Sequence, residues 1–183
     1  MEAQSGYPSS TQVVDLDATT GIGDTTALKL AAASISADTT DGDIGVDNTL
    51  ADDVAVSNLT SGGIGDIWFD QSGNGAVAFT TVTIRDGTIT LTNTKAGLSV
   101  SGAITAGGTD KNLTLTTTGS GDITLTGTTT ATDDKVWINA AGAIKGSGLV
   151  TVNTVDFDAC TGVWRQQQPT QHHRGPPSTR NRQ

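Results

Sequence analysis

The chain has 183 residues, of which 34% are hydrophobic and 4% aromatic, enough for one domain with a thin core. Its formal charge is −9, but residues 164–183 hold four of the ten basic residues and no acid, leaving a body with six basic residues against nineteen acids, a formal −13. Such a body repels nucleic acid and anionic lipid, no run approaches the ~20 apolar residues of a membrane span, and the single cysteine, Cys160, excludes an intrachain disulfide.

Residues 1–11 lie within MEAQSGYPSSTQ, which has neither a basic nor an apolar region of the kind an export signal needs. They are expected to be disordered and to carry no export address. From residue 12 onward, apolar and polar residues alternate in short runs at 14–17, 67–70, 82–84, 89–92, 98–100, 113–115, 123–125, 136–138 and 155–157. A period of two predicts a half-buried strand at each. The run LKLAAASIS, residues 28–36, is ambiguous; no helix is expected elsewhere, so the fold class is all-β.

A glycine followed by one small residue and isoleucine punctuates the runs, at Gly42, Gly65, Gly87, Gly102, Gly121 and Gly142. The successive spacings, 23, 22, 15, 19 and 21, average about 20. A period of about 20 with only strands inside it predicts coils that cannot bury their own apolar face and therefore stack. The predicted architecture is a right-handed parallel β-helix (β-solenoid) over residues 12–163, with Thr and Asn in hydrogen-bonded ladders between coils. A β-sandwich also uses many short strands, but it does not need the same punctuation at each turn. A longer repeat is superimposed: VDLDATTGI from Val14 matches VDFDACTGV from Val155 at a constant offset. The interval from Val14 to Val155 is read as one large repeat of roughly seven coils, about 34 Å of stack at the inter-strand spacing.

Segments such as AGLSVSGAITAGGTDKNLTLTTTGSGDITLTGTTTATDD, AGAIKGSGLVTVNTVDFDA and DLDATTGIGDTTALKLAAASISADTTDGDIGVDN resemble the repeat regions of filamentous-haemagglutinin-like and autotransporter-type bacterial surface exoproteins. The resemblance covers about residues 12–163. It implies a structural or adhesive segment, extracellular or at the cell surface, whose partners are surface glycans, proteins or neighbouring repeats of the same exoprotein.

Several side chains are candidates for chemistry. Asp15/Asp17 and Asp156/Asp158 each place two carboxylates on one side of a strand, which suits Ca²⁺ only if neighbours complete six to eight oxygens. A solvated acidic face is the favoured reading. Polysaccharide-acting enzymes also use β-helices and clustered carboxylates, but the body's Lys29, Arg85, Lys95, Lys111, Lys135 and Lys145 are scattered and both histidines, His172 and His173, sit in the tail. No general base is identified, so no enzyme, catalytic residue or cofactor is expected. Trp68 and Trp137 sit at outward positions of their strands and are candidate contacts for a sugar or a protein partner; packing against an adjoining coil is the favoured reading. The Thr runs at 114–118 and 124–126 raise an ice-binding alternative, since flat Thr ladders on solenoids resemble ice-binding faces.

After the second VDFDACTGV the chain changes dialect, to Trp164-Arg165-Gln166-Gln167-Gln168. Shifting the tail by one base restores Gly, Asn/Ser and Thr codons, the vocabulary of the repeats. Residues 164–183 are therefore expected to be a disordered, basic, frameshifted continuation, in which Pro169, Pro176 and Pro177 oppose regular structure. Their apparent nucleic-acid or metal signal loses value accordingly.

Overall fold

Fifteen strands follow one another in the computed structural model, which describes residues 12–165. They are β1 (Val13–Ala18), β2 (Leu28–Leu30), β3 (Ser34–Thr39), β4 (Ile44–Asn48), β5 (Val54–Ile64), β6 (Ile67–Gln71), β7 (Val77–Asp86), β8 (Ile89–Asn93), β9 (Leu98–Ala106), β10 (Leu113–Thr117), β11 (Ile123–Leu125), β12 (Thr128–Ala140), β13 (Ala143–Gly146), β14 (Leu149–Ala159) and β15 (Gly162–Arg165). All nine period-two runs fall in strands, and the ambiguous run 28–36 divides between β2 and β3. Strand pairing continues to Arg165, just past the expected seam at 163. The expectations for residues 1–11 and 166–183 lie outside the described residues.

Every strand pairing is parallel, and the partner is always the equivalent strand of the next coil. The molecule is a parallel β-solenoid of about seven turns. Three ladders run along it. The first stacks Val54, Val77, Leu98, Ile123, Ile144 and Val163, and the second stacks Leu16, Ala37, Leu59, Val82, Ile104, Thr129 and Val150. The third stacks Ile44, Ile67, Ile89, Leu113, Val136 and Val155.

The coils are ~22 residues long, longer than the period read from the glycine triplets, and the placing of the triplets explains the difference. Gly42, Gly65 and Gly87 precede the third ladder, Gly102 stands at the bend into the second, and Gly121 and Gly142 precede the first. The two short spacings, Gly87 to Gly102 and Gly102 to Gly121, arise where the triplet moves to another corner, and including them shortened the average.

Alternation places one residue in two inside. Ile35, Val56, Leu59, Phe69, Phe79, Ile89, Leu91, Leu113, Leu115 and Ile138 are each at most 1% exposed. Phe69 of the third ladder meets Phe79 of the first edge-to-face, with centroids 5.2 Å apart and planes at 89°, which adds ~0.5–1.5 kcal/mol to the apolar burial.

At the end of the third-ladder strands β4, β6, β8 and β10 the inward position turns polar, whereas Leu30, Ala140 and Ala159 hold the equivalent place in β2, β12 and β14. Asn48, Gln71, Asn93 and Thr117 stack in register and are buried. Asn48 Nδ2 donates to Gln71 Oε1 (2.9 Å) and Ala32 O (3.0 Å), and Gln71 Nε2 donates to Leu50 O (2.7 Å). Asn93 Nδ2 donates to Gly75 O and Gly97 O (both 3.0 Å) and its Oδ1 accepts from Lys95 N and Ala96 N. Thr117 Oγ1 donates to Gly121 O and accepts from Ala141 N. The column supplies the main-chain groups of the corner with the partners that burial removes from water.

Candidate functional site

The outward side of the third ladder holds both candidate tryptophans. Gly45, Trp68, Thr90, Thr114, Trp137 and Asp156 stack in one column, so the two indoles stand three coils apart, about 14 Å at ~4.8 Å per step. They differ in setting. Trp68 is half-buried because its ring lies across Gly45 of the preceding coil: a Cβ on Gly45 would come within 2.2 Å of Trp68 Cζ2. Trp137 is 36% exposed, and its cover is loose, with Lys135 Nζ 5.9 Å from the ring centroid. Packing on an adjoining coil therefore accounts for Trp68, while Trp137 presents its indole outward.

The adjacent outward column carries Lys29, Asp47, Asp70, Thr92, Thr116, Asn139 and Asp158. Lys29 pairs with Asp47, which also accepts from Ser72 Oγ at 2.6 Å. The Lys29 and Ser72 hydrogen bonds hold the Asp47 carboxyl below the ordinary value. Asp70, next in the column, has no such partner. Its Oδ1 is buried without a hydrogen bond, and burial, followed by repulsion from Asp47, pushes its carboxyl up.

The two aspartate pairs do not converge. Asp15 and Asp17 are exposed on β1, where Asp15 accepts from Ser36 Oγ, whereas Asp156 and Asp158 are exposed on β14 at the other end of the stack. Among the described residues no three His, Cys, Asp or Glu side chains group as a metal site. His172 and His173 lie outside the described residues.

The sequence reading assigns a solvated acidic face only to Asp15/Asp17 and Asp156/Asp158, all four of which are exposed; other aspartates, on which it makes no assignment, have a structural task. Carboxylates of Asp41, Asp43, Asp53, Asp66 and Asp122 each accept a backbone N–H from the next coil, those of Ile64, Asp66, Ala76, Thr88 and Ala143, at 2.7–2.9 Å. The Ala143 N–H and the Lys145 ammonium hold the Asp122 carboxyl low. At Asp43 burial outweighs the Asp66 N–H, and the carboxyl is pushed up, with Asp24 nearby adding to the rise.

A second feature missed from sequence is a threonine column on the outer side of the second ladder. Asp17, Asp38, Thr60, Thr83, Thr105, Thr130 and Thr151 stand in register, with Thr60, Thr83, Thr105 and Thr130 half-buried by their neighbours and Thr151 exposed.

Two hollows matter besides these columns. One lies at the corner before the third ladder, lined by Asp110, Asn112, Asp134, Lys135, Trp137, Asn153 and Thr154. The other opens on the last coil, beside Ile144, Leu149, Val155, Phe157 and Val163. Val155 and Phe157 continue the columns of Val136 and Ile138, yet each is 40% exposed, because among the described residues no further coil covers them. Comparison with family models, curated proteins and solved structures returned no match.

Proposed function

We propose that this chain is a structural and adhesive stretch of a large bacterial surface or secreted exoprotein, of the filamentous-haemagglutinin-like or autotransporter type that its repeats resemble. The observation that carries the reading is the stack itself. Each coil is hydrogen-bonded to the next through parallel ladders, reinforced in three coils by the buried carboxamides of Asn48, Gln71 and Asn93 and in several by aspartate caps, which makes a rod about 30 Å long at ~4.8 Å per step with an acidic, polar exterior. Its open apolar columns at Val155 and Phe157 match the underside of another coil, so neighbouring repeats are natural partners. Surface glycans or proteins are the others, and the setting is extracellular.

A panel of immobilised glycans and matrix proteins, probed with the full chain, tests adhesion. Turnover of an acidic polysaccharide in the same panel would replace this reading with that of a β-helix enzyme. The threonine column on the second ladder supports a second reading, an ice-binding face. Thermal hysteresis that disappears in Thr83→Val/Thr105→Val would establish it, and freezing indistinguishable from buffer would remove it.

A further inference from the structure

The corner before the third ladder changes character along the stack. In the coils that begin the third ladder at Ile44, Ile67 and Ile89, glycine stands two positions earlier, and turn lies on turn with no space between. A Cβ on Gly87 would fall 1.6 Å from Gly65 O. In the coils that begin it at Leu113, Val136 and Val155 the same position holds Lys111, Asp134 and Asn153. There the turns part around a hollow of about 240 Å³, below the ~300–1,000 Å³ of a drug-sized pocket.

Three coils supply its lining: Asp110 and Asn112 from one, Asp134 and Trp137 from the next, Asn153 and Thr154 from the third. Asp134 is 5% exposed, and its Oδ2 is buried with no hydrogen-bond partner among the described residues. A carboxylate oxygen in that state is costly unless something donates to it. Asp110 is the one non-glycine residue with positive φ (59°) among the described residues, a conformation that Asp tolerates better than most residues.

We propose that this corner binds one neutral pyranose ring of a glycan. The donor set fits a sugar: carboxylate oxygens accept hydroxyl protons, the Asn112 and Asn153 amides both donate and accept, and the Trp137 indole offers an apolar face for the C–H side of the ring. Charge narrows the class. Asp110 and Asp134 repel a uronate or sialate, and the Lys135 ammonium, with only two carboxylates in the lining, disfavours a divalent cation. The inference rests on the adhesive reading for its ligand class, and on the hollow alone for its location.

The test titrates the full chain with maltotriose, cellotriose, chitotriose and trigalacturonate, read by tryptophan fluorescence and calorimetry. It adds Trp137→Ala and Asn153→Ala, both at exposed positions, with Trp68→Ala as the control and a thermal melt of each variant. At least one neutral trisaccharide binds, binding falls tenfold or more in Trp137→Ala and in Asn153→Ala, Trp68→Ala leaves it unchanged, and trigalacturonate binds more weakly. Sugar binding lost only in Trp68→Ala overturns this site and leaves the adhesive reading standing, as does adhesion to matrix protein with every sugar inert. Terbium luminescence sensitised by Trp137 without sugar binding would make the corner a cation site and overturn the proposal. No response to any probe overturns it outright, and a lack of adhesion in the wider panel then removes the adhesive reading too.

Discussion

Replacing Asn93 by Ala removes four hydrogen bonds at once: two donated by Nδ2 to Gly75 O and Gly97 O, two accepted by Oδ1 from Lys95 N and Ala96 N. Asn93 is 0% exposed, so water does not stand ready to replace them. At about 1 kcal/mol net per hydrogen bond the loss is roughly 4 kcal/mol. Thr92→Ala, the adjoining position on the outer side, is the control and costs under about 0.5 kcal/mol. With a urea slope of ~2 kcal/mol/M, Asn93→Ala moves the unfolding midpoint down by about 2 M, read by circular dichroism. Stacked coils open locally, since each touches only its neighbours, so amide exchange gives the sharper reading. The Lys95 and Ala96 amides lose protection by up to about a thousandfold, the equivalent of about 4 kcal/mol. Equal midpoints for Asn93→Ala and Thr92→Ala, with Ala96 still protected, would refute the claim that the carboxamide column holds the corner.

Three further outcomes are expected. Gly45→Ala drives a methyl to 2.2 Å from Trp68, lifts the indole and costs about 1–3 kcal/mol by overpacking, visible as red-shifted, more quenchable emission; unchanged emission and melting would contradict it. Asp70 has a carboxyl pushed up by burial and by Asp47, so the native state holds its proton more tightly than the unfolded chain, and stability falls as pH rises through the raised value. Asp70→Asn accordingly raises the melting temperature at pH 7, with an advantage that shrinks toward zero as the pH falls below the ordinary value of 3.8; an advantage constant with pH would mean no linkage, and one that grew toward acid would mean the opposite sign. Asp122 is the opposite case, held low by the Ala143 N–H and Lys145. Its contribution is present above 3.8 and lost as pH falls through the lowered value, so wild-type melts lose stability below 3.8 and Asp122→Asn removes part of that loss.

The strands were legible because alternation is local: each of the nine runs needs only a few residues to declare itself. The coil length was less so, since Gly-x-Ile serves as a generic strand opener and appears at three different corners. The polar column was within reach. In IGVDN, IWFDQ, ITLTN and LTLTT, parity sends the fifth residue inward, and an inward Asn, Gln or Thr at equivalent places is the mark of a ladder. The threonine column and the Asp134 corner were not readable, because their members lie a full coil apart in the chain, at spacings that vary with bulges such as those at Ile35/Ser36 and Phe79/Thr81. Only the registered stack brings Asp110, Asp134 and Asn153 together. The capping aspartates were not picked out for a related reason: a carboxylate that caps an amide one coil away looks, in sequence, like one that faces water.

The two copies of the VDxDA segment do not occupy equivalent places. Val14 and Leu16 stack on Ile35 and Ala37 in the first two ladders, whereas Val155 and Phe157 stack on Val136 and Ile138 in the third. The interval from Val14 to Val155 is therefore not a whole number of coils, and each copy begins turned about the rod axis relative to the one before. In a rod built from such units, any feature carried once per unit would wind around the shaft as a slow screw. Its contacts would be dealt out to every azimuth, so that a filament lying on a surface always turns some of them toward it.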